Sequence, residues 1–223
     1  MRRALVSGAS SGIGEAIVSR LLAEGWSVTG ISRRNLGRHE AAYTHLALDL
    51  ADAAAVRAAL AGIEVEALVH AAGLMRTAPL GRLDPEAGAA MWRMHVEVAA
   101  LLADAVIGGM PEGGRIVLTG SRTASGAAGR SQYAASKAAL VGLARSWAAE
   151  LIGRGITVNI VAPAATDTPM LRDPARGGTP PRLPPLGRFV RPEEVAGTVA
   201  FLLGPDAGAI TGQQIVVCGG SSL

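Results

Sequence analysis

Short apolar runs alternate with segments of helical period along the whole chain, and glycine-bearing turns punctuate them. Ala4-Leu5-Val6-Ser7 predicts a first strand that ends at Gly8. From Glu15 to Leu22 the apolar residues recur at helical spacing. Ser27–Ile31, Thr44–Leu48, Ala67–His70, Arg115–Thr119, Gly155–Val161 and Gln214–Cys218 read as further strands. The helical patterns between them start at recognisable signals. Asp52 opens an alanine-rich helix to Leu60, and Asp84-Pro85 supplies an N-cap and first position for a helix to about Ile107, with a break near His95. Ser131 is the expected N-cap of a helix to about Ile152, and Pro192 starts one to about Leu203. Strands alternating with helices predict a single α/β domain over 1–223: a doubly wound parallel sheet of about seven strands with helices on both faces. Residues 163–187 are rich in Pro and Gly and carry arginines at 172, 176 and 182, so a mobile flap is expected at about 170–188.

Composition narrows the class. Hydrophobic residues make up 49% and charged residues 17%, which excludes a disordered chain. The lone Cys218 excludes an internal disulfide and fits a reducing compartment, and with no signal peptide in view a cytoplasmic protein is expected. No run of 18 apolar residues points to a membrane span. Aromatics are only 3% and no basic cluster is dense, which argues against nucleic-acid binding. No metal site is expected.

Chemistry concentrates where strands end. Gly8, Ser10, Ser11, Gly12, Ile13 and Gly14 form a glycine-rich turn between strand and helix, where a backbone approaches a diphosphate and a helix N-terminus meets its charge. After the second strand an acidic residue for a ribose 2′-OH is missing. Ser32, Arg33 and Arg34 stand there instead, which suits a 2′-phosphate and predicts NADP(H) over NAD(H). Tyr133 and Lys137 lie one helical turn apart on one face, and Lys137 is the chain's only lysine. An ammonium beside a phenol lowers its pKa and makes it a usable proton donor and acceptor. Ser121, just after the fifth strand, completes the group. His39 and His45 show no partners and read as structural.

These stretches together resemble the short-chain dehydrogenase/reductase family, nearly end to end. Ser7–Gly14 resembles the TGxxxGIG turn of this Rossmann-like fold. Asp49-Leu50 is similar to the adenine-binding pair, and His70-Ala71-Ala72-Gly73 to NNAG with both Asn positions changed. Ser121, Tyr133 and Lys137 match the catalytic Ser and YxxxK. Pro163, Ala164, Thr166 and Thr168 lie in a segment like PGxxxT, and ITGQ at 210–213 and Cys218-Gly219-Gly220 resemble the closing signatures. The resemblance implies hydride transfer between NADP(H) and a carbonyl or secondary alcohol. Tyr133 would be the general acid/base, Lys137 its pKa-lowering partner and ribose holder, and Ser121 the oxyanion donor. His70, Ala71, Gly73, Tyr133 and Lys137 would all touch the cofactor. His95 falls at the family's Asn position, where a proton relay would be rebuilt around an imidazole that titrates near neutrality. A homodimer or homotetramer is implied. The reading from another class is a catalytically silent NAD(P)-binding scaffold, which would need the glycine turn but not Ser121, Tyr133 and Lys137 together.

Overall fold

A computed structural model describes residues 1–176 and 180–223, so residues 177–179 of the expected flap lie outside the described residues. The element order is β1 (Arg3–Ser7), α1 (Gly12–Ala23), β2 (Ser27–Ser32), β3 (Tyr43–Ala47), α2 (Ala53–Leu60), β4 (Ala67–His70) and α3 (Pro85–Trp92). Then come a π-helical turn (Arg93–Glu97), α4 (Val98–Val106), β5 (Arg115–Thr119), α5 (Ser131–Leu151), β6 (Thr157–Pro163), α6 (Pro192–Leu203) and β7 (Gln214–Val217). All seven strands are parallel, in the order β3-β2-β1-β4-β5-β6-β7. This is the doubly wound, Rossmann-like sheet that the alternation predicts.

Both faces of the sheet are covered, so its central strands are apolar at every position rather than every second one. In β1, Leu5 packs on one face with Val56 and Leu60 of α2, Leu102 of α4 and Leu140 of α5. Its neighbours Ala4 and Val6 pack on the other, with Ile17 and Leu21 of α1 and Val195 and Val199 of α6. Buried aliphatic side chains of this size contribute roughly 1.5–3 kcal/mol each. The two clusters fix the strand register and hence the line on which the strands end.

Several boundaries differ from the sequence reading by a residue or two. Ser131 is the first helical residue of α5 and not its cap, because Ala134 N already donates to Arg130 O at 2.8 Å. Gly155, at φ 65°, closes the turn after α5, so β6 starts at Thr157 and runs through Pro163. The break near His95 is a π-turn that leaves the helix axis continuous from α3 into α4. Residues of the expected flap hold defined contacts. Arg76 Nη1 pairs with Asp173 at 3.3 Å, Thr77 Oγ1 donates to Arg176 O, and Leu186 N donates to Gly219 O at 3.0 Å. No helix among the described residues is long and apolar enough to cross a membrane.

Candidate active site

The register puts the predicted site residues on one edge. Ser7 at the end of β1 lies opposite His70 at the end of β4, His70 lies opposite Leu118, and Thr119 ends β5 beside Val161. The loops that leave these strand ends carry the glycine turn, Ala71–Gly73, Ser121 and Pro163–Thr168.

The glycine turn is built as a cradle. A Cβ at Gly14 would stand 2.2 Å from Gly8 O, and one at Gly8 would stand 2.7 Å from Ala72 Cα with φ at 71°. Only glycine permits this approach of α1 to the strand. Ser11, the N-cap of α1, makes no side-chain cap bond, so it gives the first-turn N–H groups no internal acceptor. Ser10, Gly12 and Ile13 are half-buried around this turn. Ser32 is buried, while Arg33 and Arg34 are exposed at the end of β2, with no ion pair among the described residues. His45 corrects the sequence reading: its Nε2 lies 3.0 Å from Ser32 Oγ and 3.1 Å from Ser32 O. Since Ser32 Oγ donates to Arg34 O at 2.8 Å, the imidazole N–H is the donor to Ser32. A partner on the neighbouring strand was invisible to local reading. Asp49 is exposed and caps its own turn through Ala51 N at 2.9 Å, with Leu50 buried behind it.

Ser7, the first residue of the glycine-rich motif, is the knot of the β1–β4 edge. Its hydroxyl oxygen accepts from Ala71 N at 3.2 Å and Ala72 N at 3.3 Å, and lies 2.8 Å from His70 Nδ1. His70 Nε2 lies 3.0 Å from Met94 O in the π-turn. A carbonyl only accepts, so Nε2 carries the proton and Nδ1 accepts from Ser7. His95 is protonated on the other nitrogen. Its Nε2 accepts from Leu74 N at 3.2 Å, which leaves Nδ1–H to donate to Ser136 Oγ at 2.9 Å. Ser136, missed from sequence, passes the bond on to Tyr133 O at 2.9 Å. The His95 ring meets the Tyr133 ring edge-on, with centroids 5.5 Å apart.

Tyr133, Lys137 and Ser121 are all buried. Lys137 is 4% exposed and donates to Thr119 O at 2.7 Å. A Cβ at Gly73 would stand 3.2 Å from His95 Nε2 and 3.7 Å from Lys137 Nζ, so these groups flank one glycine. Burial pulls the Lys137 ammonium down to about 7. Burial and the nearby Lys137 charge hold His70 down at about 3, and push His95 lower still. Both imidazoles are therefore neutral, which corrects the expectation that His95 titrates near neutrality. The Tyr133 phenol is pushed up by burial. A hydrogen bond from Ser121 and the fields of Arg176 and Arg130 pull it back only in part. This corrects the expectation of a phenol made acidic by Lys137: burial is the largest influence on the phenol and raises it, and Lys137 is not among the groups that pull it back. Pro163 ends β6. Ala164 N donates to Val217 O, and the hydroxyls of Thr166 and Thr168 bond back to Ala164 O and Thr166 O. No cluster of three metal-ligating side chains exists among the described residues.

The family model described as Enoyl-(Acyl carrier protein) reductase matches residues 8–222. The chain belongs to the short-chain dehydrogenase/reductase family of oxidoreductases. A 3-oxoacyl-(acyl-carrier-protein) reductase of Salmonella typhimurium is 37% identical over 234 residues, covering 97% of this chain and 96% of the relative. D-threitol dehydrogenase of Mycolicibacterium smegmatis is 33% identical, covering 99% and 92%. Among solved structures, a short-chain dehydrogenase of Burkholderia cenocepacia in complex with NADP is 35% identical, with a TM-score of 0.87 over 100% of this chain and 98% of that one. Thermoplasma acidophilum aldohexose dehydrogenase is 29% identical, with a TM-score of 0.89 over 99% and 94%. In this short-chain dehydrogenase/reductase Ser121 follows β5, and Tyr133 and Lys137 lie in the first two turns of α5.

Proposed function

We propose that this chain is an NADP(H)-dependent oxidoreductase acting between a carbonyl compound and its secondary alcohol, with Tyr133 as the general acid/base. The observation that carries the reading is the convergence of buried Ser121, Tyr133 and Lys137 at the carboxyl edge of the parallel sheet, beside a glycine turn that brings the start of α1 against the end of β1. NADP(H) supplies or accepts the hydride when bound. Gly8, Ser10, Ser11, Gly12, Ile13 and Gly14 hold its diphosphate, and Asp49 and Leu50 its adenine. Ser32, Arg33 and Arg34 stand at the ribose 2′-phosphate, which favours NADP(H) over NAD(H). His70, Ala71, Gly73, Pro163, Ala164, Thr166 and Thr168 line the rest of its path.

Ser121 orients the substrate oxygen and stabilises the charge that develops on it. Tyr133 gives that oxygen its proton during reduction. A phenol held above its ordinary pKa by burial is protonated at neutral pH, which is the form this step needs. Lys137 spends one N–H on Thr119 O and keeps two for the ribose hydroxyls beside the nicotinamide. His95 positions the machinery through Leu74 N and Ser136 as a neutral imidazole whose one N–H is committed to Ser136. The exposed Trp92 and Ile152, on the α3 and α5 sides, suit a homodimer or homotetramer.

The test is NADPH consumption on a panel of ketones, sugars and 3-oxoacyl thioesters, with Tyr133→Phe alongside. We expect turnover of at least one compound and a loss of roughly 100-fold or more in the variant. Wild-type turnover retained by Tyr133→Phe defeats the assignment.

A further inference from the structure

The rim of this site carries cations with no answering acid. Among the described residues nine of the twenty arginines make an ion pair; of the eleven that do not, Arg122, Arg130, Arg176 and Arg182 are the ones whose charges act on one another beside Tyr133. Two of the four are also desolvated. Arg176 is 7% exposed, and its Nη1 donates to Leu171 O at 2.9 Å. Its Nε–H is buried without a partner, and so is that of Arg130. An unanswered buried donor costs about 1–3 kcal/mol, and more on a charged group.

Their positions converge on Tyr133 from two elements. Arg130 is the N-cap of α5, three residues ahead of the tyrosine. Arg176 belongs to the segment after β6. Its carbonyl accepts from Thr77, and two residues before Thr77 the Met75 side chain packs against Tyr133. The fields of both guanidiniums reach the phenol, and Arg176 and Arg122 each weigh against the charge on Arg130.

Like charges gathered in a desolvated place repel one another. The arrangement is stable only at a cost that an anion removes. A guanidinium presents a planar fork of donors that matches carboxylate and phosphate oxygens. We propose that Arg130 and Arg176 form an oxyanion subsite beside Tyr133, and that the substrate is a carbonyl compound bearing a carboxylate or a phosphate. The inference deepens the reductase reading and rests on it for the word substrate. The anionic group stays unchanged through the reaction; it fixes which way the carbonyl faces Ser121 and Tyr133. A neutral polyol or plain ketone leaves both guanidinium charges unanswered.

Two measurements decide it. The first compares kcat/KM with NADPH for acetoacetate against methyl acetoacetate, and for dihydroxyacetone phosphate against dihydroxyacetone. We expect at least one anion to exceed its neutral partner by about tenfold or more, and the two pairs separate carboxylate from phosphate. Arg130→Gln and Arg176→Gln should each shrink that ratio by about tenfold, mainly through KM. Equal values within both pairs, or a preference that survives both substitutions, overturns the proposal. The second measurement needs no turnover. At constant ionic strength, 3-hydroxybutyrate or inorganic phosphate should raise the melting temperature of the wild-type protein, and of neither variant. No rise with either anion overturns the subsite. Reduction of neutral ketones without anion preference leaves the reductase reading intact and removes the subsite. Anion protection without turnover of any compound does the reverse.

Discussion

Lys137→Met should stabilise the protein while removing its activity, and the size of the gain should depend on pH in one direction. The ammonium is 4% exposed and holds a single internal bond, to Thr119 O. Burial pulls it from 10.5 in the unfolded chain to about 7 in the folded one. That difference of about 3.5 pH units corresponds to about 5 kcal/mol at about 1.4 kcal/mol per unit. Relaxation and water penetration reduce it, so it is an upper bound. The folded lysine has the lower pKa, so between pH 7 and 10.5 the unfolded chain binds more protons and wild-type stability rises with pH. Below pH 7 both states are charged, and the wild type bears the full penalty. Methionine has a similar length and no charge, and it gives up only the bond to Thr119 O, about 1 kcal/mol. The variant should therefore unfold at higher urea than wild type at pH 6, in protein stripped of nucleotide. Its advantage should shrink by about 2–3 kcal/mol between pH 6 and pH 9. Equal gains at both pH values would refute the reasoning, because a packing effect has no reason to titrate.

Further outcomes follow from the same geometry. Ser7→Ala removes the acceptor for Ala72 N and the donor to His70, while Ala71 N keeps Ser7 O, so unfolding free energy should fall by about 2–4 kcal/mol in urea titrations; a loss under about 0.5 kcal/mol speaks against the knot. His95→Asn should lower the melting temperature yet leave the shape of the pH–rate profile unchanged between pH 5 and 8, since the imidazole is already neutral there; a displaced inflection refutes the neutral tautomer. The double variant Arg33→Ala with Arg34→Ala should raise KM for NADPH by about tenfold or more and leave KM for NADH within about twofold. An equal rise for both cofactors means that the pair serves general charge and not the 2′-phosphate.

The fold was legible because its signal is periodic and local. The apolar runs of β1, β4 and β5 needed no long-range information, and Asp84-Pro85 marked the start of α3 in two residues. The position of Ser121 followed from where a strand ends, and those of Tyr133 and Lys137 from their one-turn spacing on a helix. What stayed hidden was relational. His45 finds Ser32 across a strand pair, 13 residues away, and Ser7 finds His70 across 63. Arg176 sits in a Pro- and Gly-rich stretch that reads as solvated, and only its docking on Thr77 buries it. The bond from His95 to Ser136 had one clue in sequence: a serine one residue before the lone lysine, on a helix face otherwise apolar.

The largest error of the letters concerns which group titrates near neutral pH. Free in water, histidine is the side chain for that role and lysine is remote from it. The fold exchanges them. His95 is enclosed by Leu74, Ser136 and Tyr133, with both nitrogens committed, so protonating it would break the bond from Leu74 N and add a second charge beside Lys137. Lys137 has only Thr119 O, and desolvation brings it to about 7. Both shifts come from one act of burial at one glycine, and its sign is set by charge alone: any buried base loses its proton more readily. A histidine already near 7 is carried out of the working range, while a lysine starting at 10.5 is carried into it. The imidazole at position 95 is thus held neutral, and the proton equilibrium nearest pH 7 lies on the single amine.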